Sequence, residues 1–396
     1  MIVNYQKLKK IWFKIYIQAF FLFIYFIAMY KYINNPDSNK PVSIFSKMGQ
    51  TILQRYITFL KNKNTMQFGN GSKINLVYMA KPGYGGWVSF TAHMALKYNA
   101  NLLKIGNTSE KKSRPYGYGV EYTNTVVDEV VKMPNLLITA IDKNYYQHLD
   151  KFPDGTVIVI HDPTEVKGKS CQPVIDNLPR FKVVTIRKTV QKFLREKYNI
   201  DSEFLVHPFH EYEKTNKLKT RAVSTSRIDY DKHTELILEA NEKLKKKGLK
   251  TVDIYGAKND LYVYRKLREM GLDSMDEKDP KSSYKGRFDK SFEAIDNILS
   301  DAKYVVDMSA IKNDGGGSQY TFLEAIYQDN ALILSDKWIH GTNSVFTGGY
   351  NCLVVSDAKQ LYDILSKNNR STKKIVKNAK KLLKPHLEVD WTKLFN

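Results

Sequence analysis

From residue 74 onward the chain is written in short, almost wholly apolar runs separated by helix-like stretches. The runs fall at residues 74–79, 102–105, 135–140, 156–160, 182–186 and 203–206. Helix-like segments fill residues 87–98, 120–132 and 189–198 between them. A strand exposed on one face alternates apolar and polar residues, whereas a run apolar at nearly every position is buried on both faces. Parallel strands with helices on either side are the arrangement that supplies such burial, so the pattern predicts an α/β domain with a parallel sheet.

The pattern then stops and begins again. Residues 211–219 are polar throughout and read as a linker. Beyond them strands are expected at 221–225, 251–255, 304–308, 331–334 and 352–355, with helices at 233–247, 260–270 and 320–329 and a very basic helical stretch at 357–384. No sequence repeat links the halves. A chain of 396 residues suits two such domains better than one. The expected organisation is an N-terminal Rossmann-like domain at 72–210, a linker at 211–220, a C-terminal Rossmann-like domain at 221–375, and a last helix at 376–396 crossing back to the first domain. Two open α/β domains in tandem face each other across a cleft at the carboxyl ends of their strands, which is where ligands bind in this architecture.

The N-terminus is different. Residues 11–30 are dense in Phe, Ile and Tyr, interrupted by Lys14 and Gln18, and long enough to span a bilayer core as a helix. The net charge is +21, and residues 1–70 contribute nine of it, with ten basic residues against Asp37. The expectation is therefore an N-terminal hydrophobic helix (1–36) acting as a single-pass membrane anchor, N-terminus cytosolic, followed by a basic stem at 37–71. The alternative is an amphipathic or buried helix packed on the domain, in a soluble intracellular protein. The remaining positive charge calls for an anionic partner: nucleic acid, membrane or a phosphorylated substrate.

Four groups of residues could carry chemistry. Asp314, Gly315, Gly316, Gly317, Ser318, Gln319 and Tyr320 stand between a strand and a helix, where backbone N–H groups can face a phosphate, and Glu324 lies in the next turns of that helix. Arg227 and Lys232 follow the first strand of the second half; a guanidinium fork and an ammonium on one loop suit a diphosphate, or simply pair with Asp229 and Asp231. His161 and Asp162 end a strand of the first half, and Gly85, Gly86 and Trp87 form its first strand-to-helix turn. With two cysteines there is neither a disulfide framework nor a Cys-rich zinc site, and no metal site is expected. Neither a phosphate-loop Lys motif nor a nucleophile elbow is present.

Together these motifs resemble the GT-B glycosyltransferases, above all the large retaining family 4. Arg227 and Lys232 match that family's diphosphate-binding pair, and Phe322-Leu323-Glu324-Ala325 matches its Leu-Glu-Ala helix. Asp253-Ile254-Tyr255-Gly256 is similar to its second strand and glycine turn. Lys285, within Tyr284–Phe288, falls in the segment near the nucleobase. Gly85-Gly86 matches its N-terminal glycine pair, and Val159-Ile160-His161-Asp162 also resembles phage DNA α-glucosyltransferases. The glycine-rich phrase is similar to a viral or phage subset. One departure stands out: the family's first glutamate, eight residues before Glu324, falls on Gly316 here, with Asp314 the nearest acid. The resemblance implies retaining, metal-independent transfer from a UDP- or GDP-sugar, with no cofactor required, to a glycan, lipid or glycoprotein. A DNA glucosyltransferase acting on hydroxymethylated bases is the alternative, and a non-catalytic basic nucleic-acid-binding protein a further one.

Overall fold

The computed structural model describes residues 32–34, 40–53, 73–80, 85–106, 117–289, 291–310, 319–340, 344–367 and 371–395. The chain forms two compact units, Met1–Gly71 and Ser72–Asn396. In the first, β1 (Tyr32–Asn34) and β2 (Pro41–Ser43) pair as an antiparallel hairpin. The expectation of a single-pass membrane protein is corrected: among the described residues no helix is long and apolar enough to cross a membrane. The 11–30 segment on which it rested lies outside the described residues, as does most of the expected stem.

The second unit holds two wholly parallel sheets. The first is built from β3 (Asn75–Met79), β4 (Asn101–Ile105), β5 (Thr123–Thr125), β6 (Leu136–Ile141), β7 (Val157–Ile160), β8 (Lys182–Thr185) and β9 (Glu203–Phe204), in the order β5-β4-β3-β6-β7-β8-β9. Strands β3, β6 and β7 are buried along their whole length, as an interior parallel strand must be. The second sheet contains β10 (Arg221–Ser224), β11 (Val252–Ile254), β12 (Ala302–Asp307), β13 (Ala331–Ser335) and β14 (Leu353–Val355), in the order β11-β10-β12-β13-β14. In each sheet the chain first runs outward from an inner strand and then returns to that strand's other side. The order therefore reverses between β3 and β6 and between β10 and β12, leaving a crevice at each reversal.

Residues 120–132 depart from the expected helix. They form the edge strand β5 and a single helical turn, Val127–Val130. The β-branched Thr123 and Thr125 favour an extended edge, and Val126-Val127 in mid-segment imitates helical periodicity. The basic stretch at 357–384 is two helices, Ala358–Ser366 and Lys373–Glu388. The polar 211–219 segment has no regular structure but is fastened to the second half. Lys214 donates to the Tyr327 carbonyl and to Asp329, and Lys219 to the carbonyls of Leu299 and Gln328. These bonds explain how a lysine-rich strap can lie against a folded domain: its ammonium groups satisfy carbonyls at the ends of neighbouring elements.

One apolar cluster runs through both halves, taking in Leu76 and Phe90 from the first and Val223, Phe322 and Leu332 from the second. The C-terminal segment closes it. Trp391 is fully buried, edge-on to Phe90 at 5.4 Å, with its indole N–H donating to the Val206 carbonyl at 3.2 Å. Lys97 and Tyr98, at the end of the helix Gly86–Lys97, donate to carbonyls at the end of the helix Lys373–Glu388 and just beyond it, Tyr98 reaching Val389 at 2.6 Å.

Candidate active site

The loops after β3, β7 and β8 and those after β10 and β12 open onto one cleft of about 580 Å³. Nine of the residues singled out in the sequence line it: Gly85, Gly86, Trp87, His161, Asp162, Arg227, Lys232, Gln319 and Tyr320.

On the second half's side, Ser224 ends β10 and the chain turns through Ser226 and Arg227 into a short 3-10 turn at Tyr230–Lys232. Asp229 caps that turn and also accepts from Asn259 at 2.8 Å, which fixes the loop between the two cations. Arg227 is largely exposed and pairs with Asp229 at 3.1 Å and Asp231 at 3.4 Å. Lys232 is mostly enclosed; its ammonium donates to the Ser309 hydroxyl at 2.9 Å, with Asp231 at 3.8 Å. The two cations are thus on one loop but held differently, Arg227 by two carboxylates and Lys232 by a neutral oxygen in close contact with one carboxylate farther off. Gly256 sits under this loop at φ +148, and a side-chain carbon there would lie 2.1 Å from the Ser226 carbonyl oxygen. Its role is to let the loop approach, since no other residue fits that space. Lys285 donates to the Ser282 carbonyl and lies 4.0 Å from Asp253; it is not among the residues lining the cleft.

On the first half's side, His161 is buried, and its Nε2 donates to the Thr139 carbonyl at 2.8 Å. Burial drives its pKa down to about 4, so the ring is neutral at pH 7. Asp162 accepts from the Thr164 amide and lies 3.6 Å from Arg187. Glu165 accepts from the Trp87 indole N–H at 2.8 Å and from the His161 amide at 2.9 Å. Burial raises its carboxyl to about 8 against the opposing pull of those two donors. Glu165, Arg187 and His207 all line the cleft and were not singled out in the sequence for this role. Arg187 stands just past β8, so the strand-end rule that picks out His161 would have found it. Glu165 lies beyond a turn and carries no such signal.

Glu324 does not line the main cleft. It borders a small recess with Thr225, Phe288 and Thr321. It accepts from the Tyr118 hydroxyl at 3.2 Å, and the His93 Nε2 lies 3.8 Å away. Because His93 Nδ1 accepts from the His210 amide, the ring hydrogen sits on Nε2 and faces the carboxylate. This carboxylate thus bridges to the other half of the unit. Asp314, Gly315, Gly316, Gly317 and Ser318 lie outside the described residues. Among the described residues no cluster of His, Cys, Asp or Glu is arranged to hold a metal ion.

The seam between the halves is rich in histidine. His93, His161, His207, His210 and His386 all have lowered pKa values, burial being the first cause in each; His161 and His210 fall to about 4. A depressed histidine pKa means that the unfolded chain binds protons which the folded one refuses. Stability therefore falls as pH drops below about 6.5 and continues to fall toward pH 4. Glu165 acts in the opposite sense, favouring the folded state as pH falls from about 8 toward the ordinary carboxylate range. Five histidines outweigh one glutamate, so the melting temperature is expected to peak near neutrality and to be clearly lower at pH 5 than at pH 7. A profile flat from pH 7 to pH 5 in a thermal melt would contradict this account of the seam.

No family model and no curated protein matches the sequence. Solved structures do match the fold. HepE from Anabaena, in complex with UDP and glucose, superposes with a TM-score of 0.56 at 12% identity, covering 81% of this chain and 97% of that one. An alpha-glucosyltransferase in complex with UDP-glucose and DNA containing an abasic site superposes with a TM-score of 0.59 at 14% identity, covering 80% of this chain and 96% of that one. The chain has the GT-B fold. The fold-level resemblance read from the motifs agrees with both superpositions, which extend over nearly the whole of each matched GT-B chain.

Proposed function

We propose that this chain is a glycosyltransferase that moves a sugar from a nucleoside-diphosphate donor to an acceptor hydroxyl. The observation that carries the reading is the placement of Lys232 and Arg227 at the β10/β12 reversal, on the wall of a cleft large enough for a nucleotide sugar. Breaking the bond between sugar and diphosphate puts growing negative charge on the leaving phosphate. Two fixed cations beside it stabilise that charge more in the transition state than in the ground state. The glycine-rich segment 314–318 and Glu324 are assigned to the donor sugar and ribose. His161 and Asp162, with Gly85, Gly86 and Trp87, are assigned to the opposite wall, where sugar and acceptor meet. Transfer is read as retaining and without a required metal.

The acceptor is taken to be a hydroxyl of a glycan, lipid or glycoprotein. DNA is the second reading, favoured by the DNA-bound neighbour of the same fold. The basic C-terminal helix gives weak support, because its lysines are partly engaged: Lys380 pairs with Asp329 and Lys381 donates to the Tyr350 hydroxyl. The test is turnover of a panel of UDP- and GDP-sugars, first without acceptor and then with glycan acceptors and hydroxymethylated DNA. Release of one nucleotide above background identifies donor and enzyme together, and EDTA in the same assay tests metal independence. Salt-dependent DNA binding with no nucleotide-sugar turnover would replace the proposal with a nucleic-acid-binding protein.

A further inference from the structure

Asp307 is the last residue of β12 and is 2% exposed. A carboxylate so enclosed must be met by donors. One oxygen accepts from the Ser226 hydroxyl, in the loop after β10, and the other from the Ser309 amide at 2.8 Å, in the loop after β12. A third bond joins the same two loops, from the Ala310 amide to the Asp231 carbonyl at 3.0 Å. The strands that carry them are neighbours in the sheet, and the order reverses between them. Asp307 therefore ties together the two loops that flank the crevice.

The consequence falls on Lys232. Among the described residues its ammonium has two polar neighbours, the Ser309 hydroxyl at 2.9 Å and the Asp231 carboxylate at 3.8 Å. A carboxylate in direct hydrogen-bond contact would neutralise the ammonium more fully, whereas the hydroxyl takes the close contact and leaves Asp231 at the far edge of ion-pair range. Which neighbour holds it depends on where Ser309 stands, and the Ser309 amide is bound by Asp307. We propose that Asp307 is a positioning residue of the diphosphate site: through Ser309 it holds the Lys232 ammonium at the cleft, hydrogen-bonded to a hydroxyl and at the outer limit of its ion pair with Asp231. The inference rests on the glycosyltransferase reading and assigns to this residue a role in binding the second phosphate of the donor.

The full chain is titrated calorimetrically with UDP and with UMP, which lacks the second phosphate. Asp307→Asn and Ser309→Val are each expected to weaken UDP about tenfold while changing UMP less than twofold. Ser309→Thr adds the same β-branch as Ser309→Val but keeps the hydroxyl, and is expected to hold UDP within about threefold of wild type. In a Lys232→Ala background, Ser309→Val is expected to add nothing, because the pair acts as one unit. Wild-type UDP affinity in Ser309→Val, or equal losses for UDP and UMP, would overturn the proposal. If Asp307→Asn fails to fold, the Val and Thr pair decides the matter alone. A wild-type chain that binds none of UDP, UMP, GDP and GMP would overturn the glycosyltransferase reading, and this proposal with it. Nucleotide binding that passes while the Val and Thr variants behave alike overturns only the positioning role.

Discussion

Lys232→Ala is expected to lower turnover of the nucleotide-sugar donor by about two orders of magnitude or more, the usual cost of removing one donor aimed at developing charge. Arg227→Ala is expected to cost less. The geometry separates them. The Lys232 side chain is 13% exposed and rests on a hydroxyl, while that of Arg227 is 58% exposed and already shared between two carboxylates. A cation that is enclosed and fixed, with its one carboxylate partner at 3.8 Å, contributes more to a transition state than one screened by water and paired with two carboxylates at 3.1 and 3.4 Å. The measurement is the initial rate of donor hydrolysis or transfer at saturating donor, with folding checked by thermal melt. Wild-type rates in Lys232→Ala would remove the diphosphate assignment and, with it, the principal support for the proposed function. The reverse order, with Arg227→Ala the more damaging, would mean that the 227–232 loop rearranges when the donor binds.

Trp391→Ala is expected to destabilise the second unit by about 3–5 kcal/mol, the range for truncating a buried large aromatic side chain. Its indole is wholly enclosed, lies edge-on to Phe90 and donates to the Val206 carbonyl, which would be left unpaired. The Trp391 amide also donates to the Tyr98 hydroxyl at 3.2 Å, so the indole pins a backbone segment that reaches the first half from the end of the second. Urea titration followed by circular dichroism should show the lower midpoint. Because one apolar cluster runs through both halves, the loss is expected to appear in a single transition rather than two. A change under about 1 kcal/mol would mean that the C-terminal segment contributes little to holding the halves together.

Much of the fold could be read from the amino acids because burial on both faces leaves a local mark. β3, β7 and β13 are almost wholly apolar runs that allow few other solutions. The short edge strand β5 carries no such mark, since an edge half open to solvent needs no apolar run. Part of the candidate site was legible for a similar reason. In stacked α/β units the strand ends supply the ligand-binding loops, so His161, Arg227 and Lys232 could be picked out by position. Glu324 could be picked out as well, but not its partner: its contact with Tyr118 depends on how the two sheets pack.

What the sequence determined by itself was the parallel architecture, the restart after the polar linker, and the strand-end loops that face the cleft. The tertiary structure decided which polar groups meet within those loops. The Ser226 hydroxyl finds Asp307, the Lys232 ammonium finds Ser309, the Trp87 indole finds Glu165, and Glu324 faces Tyr118 and His93. A run of apolar residues records its burial in its own composition, because every member must leave water. A hydrogen bond between side chains far apart in the chain leaves no local trace in either residue, because its existence depends on the order in which the strands lie side by side.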